Sequence, residues 1–495
     1  MRKKKAIINV IAAVVLQIIT IICGFIVPKL IITNFGSNVN GLLNSIVQFL
    51  AYITLLESGF GPVVKSILYK PIANKNKDEI QRILKTTEKF FKKIAAIFLI
   101  YIVGLCIFLP FTLSKEFDTG FTLSLVIIIA ISTFAEYYFG MTYKIYLQSE
   151  QKNYVISIVH AITLILNTIT VIILIKLGAN IQIIKLFSSI IFILRPVLIN
   201  IYVKKKFNIN LKGADENYKI KQKWDGLAQH IAYVVHTNTD VVLLTLCCKN
   251  ISEVSVYSVY LMVINKIKDI VKSFTGGIDA TFGDMIAKEE KKSLKKNFEK
   301  YEVIYLTIAT ILFSTTMFLI IPFVSVYTKE IKDVNYIRPV FAYIIVIAEF
   351  ISTIRQPYND LVKTAGHFKE TQIGAWIETI SNILISVILV WNFGIIGVAI
   401  GTLIAMTIRT IEFIYHCSKY ILNRSIWNTL KKILVIIFEL LIITIIMNLI
   451  PNIQILNYYN WIIQGIIVFS ISSIVVLCIN FFLYKDIIIK KHKVS

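Results

Sequence analysis

The chain has 495 residues, of which 56% are hydrophobic and only 16% charged. That is too apolar over too great a length for a soluble multidomain enzyme. A formal net charge of +23 would suit nucleic acid, but the cations lie between hydrophobic runs and not on one basic domain, so they report membrane topology and no nucleic-acid partner is expected.

Runs such as AIINVIAAVVLQIITIICGFIV (6–27) and ILVIIFELLIITIIMNLI (433–450) reach or approach the roughly 20 residues of one helical crossing. They are continuous where barrel strands alternate, so the fold class is all-α integral membrane. Fourteen transmembrane helices are predicted: 6–35, 41–67, 93–114, 121–147, 154–177, 182–203, 227–247, 254–285, 301–328, 337–362, 371–394, 395–421, 433–450 and 461–484. MRKKK before the first run resembles a secretory leader, but no small-residue cleavage site follows, so the run stays as span 1. The basic stretches 75–93, 204–223, 288–296, 423–432 and 485–495 all fall on the same side, which makes both termini cytoplasmic.

Span 1 carries Lys29. Span 2 ends in TLLESGFGPVVKSILYKP (54–71), where Pro62 deprives the Ser58 carbonyl of its partner and Gly59 and Gly61 admit a second backbone. A bend is predicted there, with Glu57 before it and Lys65 after it facing an interior. Lys185 and Arg195 in span 6, with Arg409 in span 12, are expected to snorkel.

The polar stretch 208–226 reads as a cytoplasmic linker between an N-terminal six-helix lobe (1–207) and a C-terminal six-helix lobe (227–422). Residues 423–495 add two helices, nearly free of charge except Glu439, and a basic cytoplasmic tail. ESGFGP (57–62) and TGGIDATFGD (275–284) hold equivalent places in the two halves, as in transporters with parallel repeats.

Burying a charge in a bilayer costs about 2.5–3.5 kcal/mol on insertion scales, so intramembrane ionisable groups face a cavity or a partner. In span 7, Gln229, Tyr233, His236, Thr239 and Asp240 share one face. His236 and Asp240 either carry a proton near neutral pH or form a hydrogen-bonded pair that packs one lobe on the other. In span 8, Ser258, Asn265, Lys268, Asp269, Lys272, Gly276 and Asp279 form a polar stripe that either lines a wet cavity or pairs internally. Span 10 contributes Glu349 and RQPYND (355–360), where Pro357 predicts a kink. Arg355 is the guanidinium best suited to a phosphate; its alternative is a pair with Glu349.

The six cysteines form no C-x-x-C pair, and Walker A, H-E-x-x-H and G-x-S-x-G motifs are absent. No enzyme, cofactor or metal site is expected. Energy must come from an ion gradient, a membrane potential or downstream consumption of the product. The short external connections also argue against a membrane-embedded polymerase or acyltransferase.

PKLIITNFGSNVNGLLNSIVQFLAYITLLESGFGPVVKSIL (28–68), TDVVLLTL (239–246) with VSVYSVYLMV (254–263), and RQPYNDLVKTAGHFKET (355–371) resemble the Wzx-type polysaccharide flippases, in their Gram-positive capsule and exopolysaccharide branch. The resemblance covers spans 1 to 12. It implies membership of the multidrug/oligosaccharidyl-lipid/polysaccharide (MOP) exporter superfamily, with two six-helix lobes in a V as in MATE transporters, alternating access, and two C-terminal helices outside the lobes. The implied function is translocation of undecaprenyl-diphosphate-linked oligosaccharide from the inner to the outer leaflet of a bacterial cell membrane. Lys29, Glu57, Lys65, Asn265, Lys268, Asp269, Lys272 and Arg355 are the expected cavity residues for the diphosphate and glycan, and His236, Asp240 and Glu349 the expected ion-coupling residues. Expected partners are the polyprenyl-diphosphate-linked oligosaccharide, membrane lipids, and a polysaccharide polymerase with its assembly machinery; the chain itself is expected as a monomer. Related lipid II flippases carry cavity arginines on their first, second and eighth helices, where this chain offers lysines, so the carry-over is of charge type and not of position. An ion-coupled multidrug or small-solute antiporter of the MATE type is the alternative.

Overall fold

The computed structural model describes residues 2–57, 59–209, 211, 218, 220, 227–274, 278–450, 455 and 457–489. The predicted linker lies almost wholly outside them, as do Ser58, Gly276 and the end of the basic tail.

Among the described residues every regular element is helical. In chain order the α-helices are α1 (Arg2–Ala51), α2 (Phe60–Ala73), α3 (Lys77–Thr112), α4 (Thr119–Ala135), α5 (Met141–Ser149), α6 (Asn153–Lys176), α7 (Ile181–Phe207), α8 (Leu227–Cys247), α9 (Ser252–Ser273), α10 (Ile278–Ala287), α11 (Lys291–Tyr327), α12 (Pro339–Ile354), α13 (Gln356–Ala365), α14 (Gln372–Phe393), α15 (Ile395–His416), α16 (Trp427–Leu449) and α17 (Tyr458–Ile489). Short polar residues start several of them. The Asn76 side chain accepts from the Glu79 N–H at the head of α3, Asp118 from Phe121 at α4, and Asn180 from Ile183 at α7.

Eleven helical stretches among the described residues are long and apolar enough to cross a membrane. The first, Ile7–Glu57, takes in two of the predicted spans, and Gly36 breaks the helix between them at φ 87°, a conformation that glycine adopts without strain. Helices α8 and α9, where spans 7 and 8 were expected, are not among the eleven. Their polarity explains it, since α9 alone carries Glu253, Lys266, Lys268, Asp269 and Lys272. Apolar side chains point outward along the rest, with Phe111 82% and Leu449 78% exposed, which only a hydrocarbon surround would favour. The chain is a multi-pass membrane protein.

The predicted bend within span 2 is present. A 3-10 turn over Tyr52–Glu57 ends α1, and α2 starts after Gly59 at φ 78°. The predicted break at Pro357 is also present: α12 ends at Ile354, α13 begins at Gln356 with the proline in its first turn, and Arg355 sits between them.

By its contacts the chain separates into two compact units, Met1–Ser255 and Val256–Ser495. In the first, a series of polar contacts joins α1 and the 3-10 turn to α8 and the start of α9. Asn40 donates to Ser255 (2.7 Å), Ser45 meets Thr245 (2.7 Å), Tyr52 meets Thr239 (3.1 Å) and the Thr54 carbonyl meets His230 (3.2 Å). Glu116, between α3 and α4, accepts from the Ile251 N–H at 3.1 Å. Burial pushes its carboxyl above the usual range, and that N–H partly offsets the effect.

Two glycines show how closely the helices approach. A Cβ at Gly41 would lie 2.2 Å from the Ile251 carbonyl oxygen, and one at Gly397 would lie 2.5 Å from that of Leu389. Gly41→Val and Gly397→Val are therefore expected to cost about 1–3 kcal/mol each. Gly24→Ala, with nothing within 4 Å of the added carbon, should not lower stability. Thermal unfolding of the purified chain in detergent checks this, and equal melting of all three variants would contradict the close approach.

Candidate functional site

In the first unit the expected residues occupy several places. Lys29 is half-buried on α1, and Lys65 is half-buried on α2 beyond the bend. Glu57 ends the 3-10 turn and accepts a hydrogen bond from Tyr137 at 3.3 Å. Asp240 is buried on α8, and the buried Nδ1 of His236 has no hydrogen-bond partner among the described residues. Of the polar face expected on span 7, Thr239 serves the contact with the 3-10 turn, where it meets Tyr52. The side chains of Gln229 and Asp279 lie outside the described residues.

In the second unit the expected residues sort into pairs. Lys268 on α9 is ion-paired with Glu349 on α12. Lys266 pairs with Asp269 at 3.4 Å, one turn along α9. Asn265, Asp269 and Lys272 are exposed on α9. The alternative that paired Arg355 with Glu349 is corrected by the geometry. Lys268 holds Glu349, and Arg355 donates to Glu378 of α14 at 2.7 Å.

Glu378 also meets Arg409 of α15 at 3.4 Å, and Arg409 pairs with Glu412 and donates to the Thr371 carbonyl at 2.9 Å. Both guanidiniums lie over the Phe413 ring. Arg409 is 3% exposed, so the expectation that it snorkels is wrong: a doubly paired guanidinium needs no route to water. Gly374 makes room for Glu412, whose carboxylate occupies the space a Cβ would take. Glu378 was missed, although a lone carboxylate in the apolar run of α14 was a usable cue.

A second cluster was missed for a different reason. Glu302 of α11 is fully buried and takes two parallel bonds from Arg424 (2.8 and 2.9 Å), one from Lys432 of α16 (2.5 Å) and one each from Tyr358 of α13 and Thr429. Arg424 and Lys432 belong to the stretch 423–432, which was counted as topological charge. They are instead the partners of one carboxylate.

The first unit holds a further group that the sequence reading passed over. A π-helical turn over Glu136–Gly140 joins α4 to α5, and Glu136 pairs with Lys144 at 3.1 Å. Arg195 of α7 donates to Thr163 of α6 at 2.8 Å and lies over the Phe192 ring, so it has partners inside the unit.

A cavity of about 380 Å³ opens in the second unit among Phe318, Pro322, Ser325, Met447 and Gln464, and none of the expected residues lines it. Among the described residues no cluster of three or more His, Cys, Asp or Glu could hold a metal ion.

No known protein family model matches the chain, and no curated protein matches it in sequence. Solved structures do match in fold. The lipid II flippase MurJ, in an inward closed conformation, superposes with a TM-score of 0.67 over 97% of this chain and 100% of its own, at 18% identity. An inward-facing MATE multidrug resistance transporter of the MOP superfamily gives 0.55 over 81% and 94%, at 12% identity. The Vibrio cholerae MATE transporter VcmN in its bent form gives 0.51 over 84% and 96%, at 11% identity. The chain therefore has the fold of MOP-superfamily transporters and flippases, and these matched structures are not enzymes.

Removing Glu302 would leave two buried cations without their counter-charge. Glu302→Gln is expected to cost about 3–5 kcal/mol. Adding Lys432→Met to it should recover part of that loss, because one unpaired charge leaves with it. Detergent melting curves of the single and double variants check this; a double variant no more stable than Glu302→Gln would argue against a shared network.

Proposed function

We propose that the chain is a flippase that moves polyprenyl-diphosphate-linked oligosaccharide repeat units from the inner to the outer leaflet of a bacterial cytoplasmic membrane. It would supply capsule or exopolysaccharide synthesis. In this reading fourteen helices cross the membrane, twelve of them as two six-helix lobes in a V, and transport is by alternating access through a cationic central cavity. Both termini lie in the cytoplasm, α16 and α17 stand outside the lobes, and a monomer works beside a polymerase and its assembly machinery.

The observation that carries the reading is the exposed polar face of α9. Asn265, Asp269 and Lys272 are exposed on a helix long enough to cross a bilayer, where charged side chains need water, an ion-pair partner or an ionic ligand. Lys29, Glu57, Lys65, Asn265, Lys268, Asp269, Lys272 and Arg355 are assigned to the diphosphate and glycan, and His236, Asp240 and Glu349 to ion coupling. An anionic diphosphate suits this surplus of lysine and arginine better than a cationic drug does. The fold is equally that of ion-coupled drug antiporters. That second reading predicts altered susceptibility to cationic drugs on overexpression.

Depleting the protein in its host and profiling polyprenyl-diphosphate-linked glycans by mass spectrometry, with an impermeant reagent to report the leaflet, tests the function. Complete repeat units accumulating on the inner side are expected; accumulation on the outer side, or none, would overturn it. Lys272→Ala and Arg355→Ala should each reduce export about tenfold or more, the loss expected for a charge-assisted hydrogen bond. Size-exclusion profiles would confirm that both variants fold, and wild-type export from both would remove these residues from the site.

A further inference from the structure

The residues around the π-helical turn of the first unit form a cluster of which the proposed cargo path uses Glu57 alone. Glu57 ends the 3-10 turn, Glu136 and Tyr137 lie in the π-helical turn, Lys144 is on α5, His160 on α6 and Arg195 on α7. Glu136 pairs with Lys144 at 3.1 Å, and Tyr137 donates to Glu57 at 3.3 Å. Arg195 bonds Thr163, which lies one turn along α6 from His160 and donates to its carbonyl at 2.9 Å. Glu136 also rests against Gly140 and Pro196, so it stands beside Arg195: a Cβ on Gly140 would come within 3.0 Å of Glu136 Oε2 and 2.9 Å of Pro196 Cβ.

Three observations separate this cluster from an ordinary ion-pair network. The π-helical turn inserts an extra residue at Glu136, a distortion found mostly at functional sites. Position 140 is a glycine where a side-chain carbon would crowd the carboxylate. The buried Nε2 of His160 has no hydrogen-bond partner among the described residues, although a buried ring nitrogen is costly to leave bare. With His160 neutral, the two carboxylates balance Lys144 and Arg195, so a further proton adds one positive charge to a closed set.

We infer that this cluster is a proton-binding site in which the imidazole of His160 gains and loses the proton. In the tautomer with hydrogen on Nδ1, a hydronium ion gives its proton to the Nε2 lone pair and leaves as water; release is the reverse. The imidazolium then faces Glu136 as counter-charge and Lys144 and Arg195 as like charges. Glu57 stands within electrostatic reach of Lys144 and Glu136. From α1, which packs along α6, the basic side chain between residues 7 and 51 is Lys29, and α7 adds Lys185 toward its other end. A proton therefore sets two cations against a third charge, and the easiest relief is movement of Glu136 from Lys144 toward the imidazolium. The inference holds whether the cargo is a glycan or a drug.

The test is histidine-selective ¹⁵N NMR of the full chain in lipid nanodiscs, between about pH 3 and pH 8, a range that takes in imidazoles displaced by burial and by neighbouring charges. The chain has six histidines, and the His160 resonances are those missing from His160→Gln, with His160→Asn as a second assignment. Conversion of the His160 signal from imidazole to imidazolium within this range is expected. In Glu136→Gln the imidazolium fraction at a given pH should fall about tenfold, since one interacting charge is worth on the order of one pH unit. A His160 that stays neutral throughout, or that titrates identically in Glu136→Gln, overturns the inference. The glycan-profiling result does not enter this readout, so failure of the one leaves the other standing.

Discussion

No ionised side chain stays in hydrocarbon without a counter-charge, and the second unit is laced together by that requirement. Glu302 draws Arg424 and Lys432 onto α11, and Tyr358 brings α13 to the same carboxylate. Glu378 holds Arg355, at the α12–α13 junction, and Arg409 of α15. Lys268 and Glu349 tie α9 to α12. Exposed pairs contribute about 0–1 kcal/mol, whereas stripping one partner from a buried pair costs about 3–5 kcal/mol. The buried pairs therefore constrain which helices meet more than the many surface lysines do. Glu439 differs in kind: it is fully buried and meets an amide, Asn480, at 2.9 Å.

The helix breaks fall beside these charges. Glu57 closes the 3-10 turn, Glu136 opens a π-helical turn, Arg355 stands between α12 and α13, and the π-helical turn Cys417–Ile421 ends just before Arg424. A break frees backbone groups that need protein or water, and it swings side chains off the register of a continuous helix. Both effects call for the same surroundings. A polar pocket inside the bundle satisfies freed carbonyls and charged side chains together, so the two features collect at the same positions.

That logic also separates what the sequence made legible from what it hid. The bend near Gly59 and the break at Pro357 were readable, because proline and glycine act on their own backbone and need no knowledge of neighbours. The helical character of the spans was readable from their continuous apolar runs. Pairing was not. Arg355 had Glu349 within two turns of its own helix, and only the fold shows that α14 brings Glu378 closer. Arg424 and Lys432 looked like loop cations because Glu302 lies more than a hundred residues away. Glu136 and Lys144 are eight residues apart, a spacing that a regular helix does not place as neighbours and that a π-helical turn realigns.

On the proposed function, paired cations have a consequence for transport. A bare guanidinium in a low-dielectric site would hold a diphosphate too firmly to let it go, whereas one already held by a carboxylate exchanges one anion for another. Glu378 is suited to such an exchange because it has two cationic partners. If cargo takes Arg355, the carboxylate keeps Arg409, so no buried charge is left alone at the halfway point. When Glu378 returns to Arg355, it competes the phosphate away. Arg409 is further held by Glu412 and the Thr371 carbonyl, so it stays in place while Arg355 changes partner. The same pairing that makes a cation tolerable in the membrane thus keeps its grip on an anionic cargo reversible.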